Sequence, residues 1–364
     1  MSTTTASPSQ NLAAYLTSSK GPFSVLPAPQ RVPAAGEVLV NVQACALQPV
    51  DAKLAKLAIA PLAYPTILGS PVAGFVEAVG EGVQKVKAGD RVVASTSIFA
   101  KGGEERWGGA QRFAIVLERE VLVIPSSLPF ENACASASQT PLAVLYAVGT
   151  LNVPRPSDPS EPALPTTDTI LIWGGSSAMG SLTISYAKKA GLTVITTCSS
   201  HNFDLVKSLG ADYVFDHKRP QGDVVADLVK TMKEVGVPKY WFDTISLPAS
   251  MAPLVEVISQ TTAPDQAVTV VTLLPAVMYA SSVTIPPNVT VKMNSFRSAA
   301  EENLELVQWM LGQGGYLERG LKEGWARGVP PLVLGGLNQV EKAVDMLHHE
   351  EVSGQKLVVF PWQD

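Results

Sequence analysis

Cysteine and histidine are scarce in this chain of 364 residues. There are three cysteines, Cys45, Cys134 and Cys198, and four histidines, His201, His217, His348 and His349. No C-x₂-C pair exists, so a structural zinc module is excluded, and three well-separated thiols make no disulfide framework. No imidazole precedes His201, which removes any His-assisted nucleophile built within the N-terminal half. Free thiols fit a reducing, cytoplasmic setting, and the first residues lack the positive start and apolar core of a signal peptide. No run approaches the roughly 18 consecutive apolar residues of a membrane span. A net charge of −5 without a Lys/Arg stripe argues against a nucleic-acid partner. What remains, at 46% apolar and 16% charged residues, is a soluble chain long enough for two domains.

The first third reads as β-rich. Glu37 to Ala46 alternates apolar and polar residues as a half-buried strand does. Gly74 to Val79 and then Val83 to Val93 continue as short strands broken by glycine, with Gly89-Asp90 a tight turn entering a strand. Glu131 to Val148 carries small residues broken only by Pro141 and predicts a helix. Pro154 to Asp168, rich in Pro, Ser and Asp, predicts a surface loop.

The most informative segment follows. Thr169 to Trp173 is a short apolar run, Gly174 to Gly180 is a turn of small residues, Ser181 to Ala190 is helical, and Thr193 to Thr197 is a second strand. A βαβ unit with such a turn presents free backbone N–H groups and the positive end of a helix dipole to a pyrophosphate. Ser177 stands where G-x-G-x-x-G has its middle glycine. Gly175 is expected to supply the tight turn and Gly180 the close helix packing, while Ser176, Ser177, Ala178 and Met179 are small or flexible enough to admit phosphate. An NAD-selective site places an acid about 20 residues past the turn. Here Ser199, Ser200, His201 and Asn202 occupy that place and no carboxylate comes before Asp204, which favours NADPH. The same residues would also cap the next helix.

Several motifs occur in one order: Ala44-Cys45-Ala46-Leu47-Gln48-Pro49-Val50-Asp51-Ala52-Lys53, Tyr64-Pro65 through Gly69, Ala73-Gly74, Val79-Gly80, Gly89-Asp90-Arg91-Val92, Thr140-Pro141-Leu142-Ala143, the Gly174 to Gly180 turn, Leu209-Gly210-Ala211-Asp212 and Ser353-Gly354-Gln355-Lys356-Leu357-Val358. In these the chain resembles the medium-chain dehydrogenases/reductases, in the zinc-independent branch with quinone oxidoreductases and fungal trans-acting enoyl reductases. The resemblance implies an α/β fold: a GroES-like β-rich substrate domain at 1–136 and 310–364, and a Rossmann doubly wound parallel sheet at 137–309 that binds NADP(H). Zinc-dependent relatives carry Gly-His-Glu where this chain has Gly69-Ser70-Pro71, so no metal is expected.

The resemblance also implies site residues. Lys53, matching the lysine of an Asn-Pro-Val-Asp-x-Lys motif, is a candidate contact for an enolate oxygen, and equally a solvated lysine. Thr140 matches a threonine near the nicotinamide and ribose. Tyr64 is a candidate proton donor or a pocket wall. Gln48 replaces the usual Asn, and its longer amide would reach toward the cofactor pocket. His217 stands near the adenosine phosphate where relatives have Tyr, and Leu273 lies in a run, Ala267 to Leu274, that suits either a sheet edge or a central strand bearing a nicotinamide contact. Asp51 is read as a cap and Cys45 as a small buried hydrophobe.

Three functions stay open from the sequence. One is an NADPH-dependent reductase of an activated C=C bond, possessing a small-molecule or acyl-carrier-bound substrate and a polyketide synthase partner. The others are a quinone oxidoreductase and a non-catalytic NADPH-binding protein that keeps the fold. Oligomeric state is open.

Overall fold

The computed structural model describes residues 10–98, 100–155, 167–294 and 303–363. Most of the predicted Pro154 to Asp168 loop lies outside the described residues. The chain opens with β1 (Leu12–Leu16), β2 (Phe23–Pro27) and β3 (Glu37–Ala46), then α1 (Pro49–Ala52) running into a π-turn at Lys53–Leu57. β4 (Thr66–Ile67), β5 (Val72–Val79), β6 (Arg91–Ala94), β7 (Phe113–Leu117), β8 (Val121–Val123) and α2 (Phe130–Ser136) follow. The next stretch holds α3 (Thr140–Tyr146), β9 (Thr169–Trp173), α4 (Ala178–Lys189), β10 (Thr193–Cys198), α5 (Phe203–Ser208) and β11 (Tyr213–Asp216). It continues through α6 (Gln221–Val235), β12 (Tyr240–Asp243), α7 (Pro248–Thr261), β13 (Val268–Thr272) and β14 (Val289–Met293). Last come α8 (Leu304–Leu311), α9 (Tyr316–Glu323), β15 (Pro331–Val333), α10 (Val340–His348) and β16 (Lys356–Val359).

Two compact units result. The first takes the chain up to Ala137 plus Pro331–Val352 and the residues from Lys356 onward; the second takes Ser138–Pro330 with Ser353–Gln355. In the first unit a sheet runs β15-β16-β3-β5-β6-β8, with β7 also paired to β3, and a smaller sheet runs β2-β1-β4. Val38, Val40 and Val42 of β3 and Val72 and Val76 of β5 fill one core with Leu357 and Val359 of β16. The stretch Val83 to Ala88, expected as strand, is irregular, while the expected turn at Gly89-Asp90 forms: Gly89 is left-handed at φ 89° and Asp90 Oδ2 accepts from the Lys87 amide at 2.9 Å. Strand pairing resumes at Arg91.

The second unit is a parallel sheet in the order β11-β10-β9-β12-β13-β14. β9 is buried along its whole length, as a strand covered on both faces must be, which explains its unbroken apolar run. The Ala267 to Leu274 run becomes β13, interior between β12 and β14. The helix expected over Glu131 to Val148 is two helices, because the chain leaves helical geometry at Ala137 and restarts with Pro141 in the first turn of α3. Residues 310–330, expected with the first domain, lie in the second unit. Their reason is aromatic: Tyr316 stacks on Trp309 at 4.3 Å and meets Tyr146 and Tyr186 edge-on, tying α8 and α9 to α3 and α4.

Candidate functional site

The second unit's strand order reverses direction at β9 and β12, and crevices at the carboxyl ends of such strands are where doubly wound sheets take ligands. Gly174, directly after β9, is left-handed at φ 85°, and a Cβ there would meet Thr244 Oγ1 and Ile245 side-chain atoms at 2.7 Å. The tight turn is therefore Gly174's, not Gly175's. Gly175 is needed for a different reason, since its Cβ would lie 2.1 Å from Thr196 Oγ1 on β10. Gly180 packs as expected, with Gly174's carbonyl oxygen 2.2 Å from where its Cβ would sit. Ser177 caps α4: its Oγ accepts from the Gly180 amide at 2.9 Å and pairs with Thr244 Oγ1 at 2.9 Å, bridging the ends of β9 and β12. Ser176, Ser177, Ala178 and Met179 are all half-buried, so one face of the turn is open.

The neighbouring loops are held firmly. Asp243, buried at the end of β12, accepts from the Ile245 and Ser246 amides and from Ser250 Oγ at 2.6 Å; burial pushes its carboxyl up to about 6. Ser246 adopts φ 58°, and its Oγ accepts the Leu273 amide at 2.9 Å, which positions Leu273 after β13. Thr140 opens α3, half-buried, rather than sitting in a helix interior. Beside it, Gln139 is 3% exposed and its Nε2 has no partner, and Asn294 Oδ1 after β14 is likewise buried and unpaired.

At the end of β10 the predicted phosphate residues separate. Ser199 is buried and Ser200 and His201 are exposed, with Ser199 Oγ 3.4 Å from His217 Nε2. Asn202 is only 6% exposed and donates to Ser353 Oγ at 2.9 Å, while His201 Nε2 lies 3.1 Å from the same oxygen. Asn202 is thus committed to tying down the Ser353-Gly354 segment. Asp216 and Lys218, unremarked in the sequence, flank His217. The pairing of Cys198 with Asp216 brings that carboxylate to the end of β10, where the Lys218 amide holds it below its ordinary pKa. Partial desolvation lowers the His217 pKa, against the pull of Asp216.

In the first unit, hydrogen bonds close into a ring. Gln48 Nε2 donates to the Ser70 carbonyl at 2.6 Å, Ser70 Oγ accepts from the Thr96 amide at 3.0 Å, and Thr96 Oγ1 donates to the Gly69 carbonyl at 3.1 Å. The Gly69 amide donates to Asp51 Oδ1 at 3.2 Å and the Gln48 amide to Asp51 Oδ2 at 2.7 Å. The Gln48 amide group, expected to reach toward a cofactor, folds back onto Ser70. Lys53 is half-buried on the π-turn, and burial lowers its pKa, partly offset by Glu350. Tyr64 is half-buried against the cluster of Leu54, Leu68, Ile98 and Trp107. Cys45 is fully buried, as a small hydrophobe would be.

The parallel sheet and its glycine turn define a Rossmann-type fold. Residues 34–126 match the alcohol dehydrogenase GroES-like domain family, and residues 178–304 match the zinc-binding dehydrogenase family. The trans-enoyl reductase himH of Aspergillus japonicus is 32% identical over 327 residues, 89% of each chain. The trans-enoyl reductase tndF of Aspergillus flavipes is 34% identical over 254 residues, 69% of this chain and 72% of its own. A quinone oxidoreductase structure from Pseudomonas syringae superposes with a TM-score of 0.72 at 21% identity, covering 96% of this chain and 100% of that one. The chain belongs to the medium-chain dehydrogenase/reductase family of oxidoreductases. One matched family's name carries zinc. Among the described residues no group of three or more His, Cys, Asp or Glu side chains is placed to hold a metal; Gln48 Nε2 donates to the Ser70 carbonyl and Ser70 Oγ accepts from the Thr96 amide. No helix among the described residues is long and apolar enough to cross a membrane.

Proposed function

We propose that the chain is a zinc-independent, NADPH-dependent reductase of an activated C=C bond, enoyl or enone, whose substrate is a small molecule or an acyl group carried by a polyketide synthase partner. The observation that carries the reading is the capped Gly174–Gly180 turn at the sheet's switch point, with two buried, unpaired amide atoms in the same unit, Gln139 Nε2 before α3 and Asn294 Oδ1 after β14. Buried polar atoms without partners are costly, so these two fit a bound polar ligand such as the dinucleotide. The similarity to himH and tndF supports the C=C chemistry. Three buried free thiols support a reducing, cytoplasmic setting.

The amides of the first turn of α4, with Ser176 and Ser177 beside them, would take the pyrophosphate. Ser200, His201, His217 and Lys218 would face the 2′-phosphate, with Ser199 orienting the His217 ring. Thr140 and Leu273 would border the nicotinamide. When bound, the dinucleotide supplies the hydride for the β-carbon of the unsaturated carbonyl. Lys53 would donate to the oxygen on which negative charge develops. Burial that lowers its pKa makes its ammonium a better proton donor at neutral pH. Tyr64 is the second candidate for delivering a proton to the α-carbon.

The test is NADPH and NADH oxidation by the full chain against enoyl thioesters, free enones and quinones. Faster turnover of the first two with NADPH supports the reading. Preferential quinone turnover would make it a quinone oxidoreductase, and tight NADPH binding without turnover on any panel would make it a non-catalytic binding protein.

A further inference from the structure

A lysine in a fully buried strand needs an explanation. β16, Lys356-Leu357-Val358-Val359, is buried at every position, and Lys356 is 5% exposed in a place where an aliphatic residue would cost nothing. The register puts it in context. Val358 pairs with Ala46, Val359 with Cys45, and the Leu47 amide donates to the Leu357 carbonyl at 3.0 Å, so the antiparallel ladder carries Lys356 opposite Gln48. Asp51, fully buried, clips the Gln48 amide to the Gly69 amide and has no hydrogen bond to a charged side chain.

We propose that Lys356 is a positioning residue: its buried ammonium compensates the Asp51 carboxylate, and so keeps the Gln48–Ser70 ring closed beside the π-turn that carries Lys53. The inference rests on the functional reading above only for its effect on turnover. A lone buried carboxylate tends to neutralise or to pull its surroundings apart, whereas one facing an ammonium keeps its charge and its grip on amide donors. Burial pushes the Lys356 ammonium down to about 8 and the Asp51 carboxyl up to about 6, and the charge of each opposes the shift of the other. The remaining groups are accounted for. Burial pushes the Cys45 and Cys134 thiols up, so both stay neutral. Glu131 on α2 acts on Cys134, and Glu350 after α10 acts on Lys53. Lys56 is paired with Asp345 of α10 at 2.6 Å, and on that helix Lys342 and His348 are exposed while Glu341 is half-buried.

The test uses the full chain as Lys356→Met, Lys356→Arg and the neutral pair Asp51→Asn/Lys356→Met, read by amide hydrogen exchange and by steady-state kinetics. In Lys356→Met the Gln48 and Gly69 amides are expected to exchange about tenfold faster, while the Gly180 amide, held by Ser177, keeps its rate. In the same variant kcat is expected to fall about tenfold with the KM for NADPH unchanged, and Lys356→Arg to recover most of both. Unchanged exchange at Gln48 and Gly69, or equal acceleration at Gly180, would overturn the proposal. Should Lys356→Met not fold, the neutral pair decides: recovery of folding once the carboxylate is removed with the ammonium supports charge compensation, and continued failure would sink it. Failure of the wild type to turn over any substrate would defeat the functional reading, and the exchange result would still stand by itself.

Discussion

The two units build their edges by opposite means. In the second, backbone does the shaping: Gly174, Gly175 and Gly180 each sit where a Cβ would strike a neighbour within 2.7 Å, and one serine cap finishes the turn. In the first, side chains do it: Gln48, Ser70, Thr96 and Asp51 bond in a ring that closes through the Gly69 backbone. The difference teaches where each unit tolerates change. A backbone-shaped edge should fail abruptly at its glycines and accept polar swaps, whereas a ring of side chains should tune activity by degrees.

The sharpest way to break that contrast is Gly180→Val. With the Gly174 oxygen 2.2 Å from the new Cβ, α4 must shift, and NADPH affinity should drop by ~100-fold or more, checked by fluorescence titration. Retained affinity would mean the turn is not shaped by backbone contact. Lys53→Ala in the first unit should lower kcat by about 10² while leaving NADPH binding intact, as loss of a donor to developing charge does. A kinetic comparison with Tyr64→Phe then decides which of the two delivers the proton.

Asp243 probes the rigidity of the second unit through pH. Its folded pKa, about 6, lies above the unfolded 3.8, so its contribution to stability is fully present below pH 3.8 and is lost as pH rises through 6. Asp243→Asn should flatten the fall in melting temperature over that window by an amount worth about 3 kcal/mol. An unaltered slope in a melting series would exclude Asp243 as its source. Ser177→Ala removes the cap of α4 and the bridge to Thr244, and should cost about 1 kcal/mol by thermal melting. The smallest effect is expected for His217→Ala. Its lowered pKa leaves the ring neutral at pH 7, so it offers a hydrogen bond rather than a charge, and the NADPH-over-NADH preference should fall by about fivefold.

Much of the second unit was legible. The bounds of β9 follow its apolar run, and the capping serine was found among the turn residues, although the helix begins at Ala178, three residues earlier than its apolar pattern suggests. Sequence spacing could not tell that Gly174, not Gly175, is the left-handed residue, because both precede the helix and only the packing of Thr196 and Ile245 separates their roles. Nor could it show that Asn202 is used by Ser353, 151 positions away, or that β11 delivers Asp216 beside β10. Gln139 was hidden for the same reason, since burial without a partner is a property of the folded surroundings.

By itself, the sequence determined the chemistry available: no histidine ahead of the parallel sheet, no metal-binding set of cysteines, a small-residue turn between a buried strand and a helix, and lysines at Lys53 and Lys356 within ordered motifs. These follow from composition and local periodicity, which the chain carries wherever it folds. Tertiary structure decided which groups are free to act. It turned the Gln48 amide back onto Ser70, set Lys356 opposite Gln48, and placed residues 310–330 with the parallel sheet through Tyr316. Such outcomes depend on pairings between segments far apart in the chain, and burial and hydrogen bonding are settled only when those segments meet.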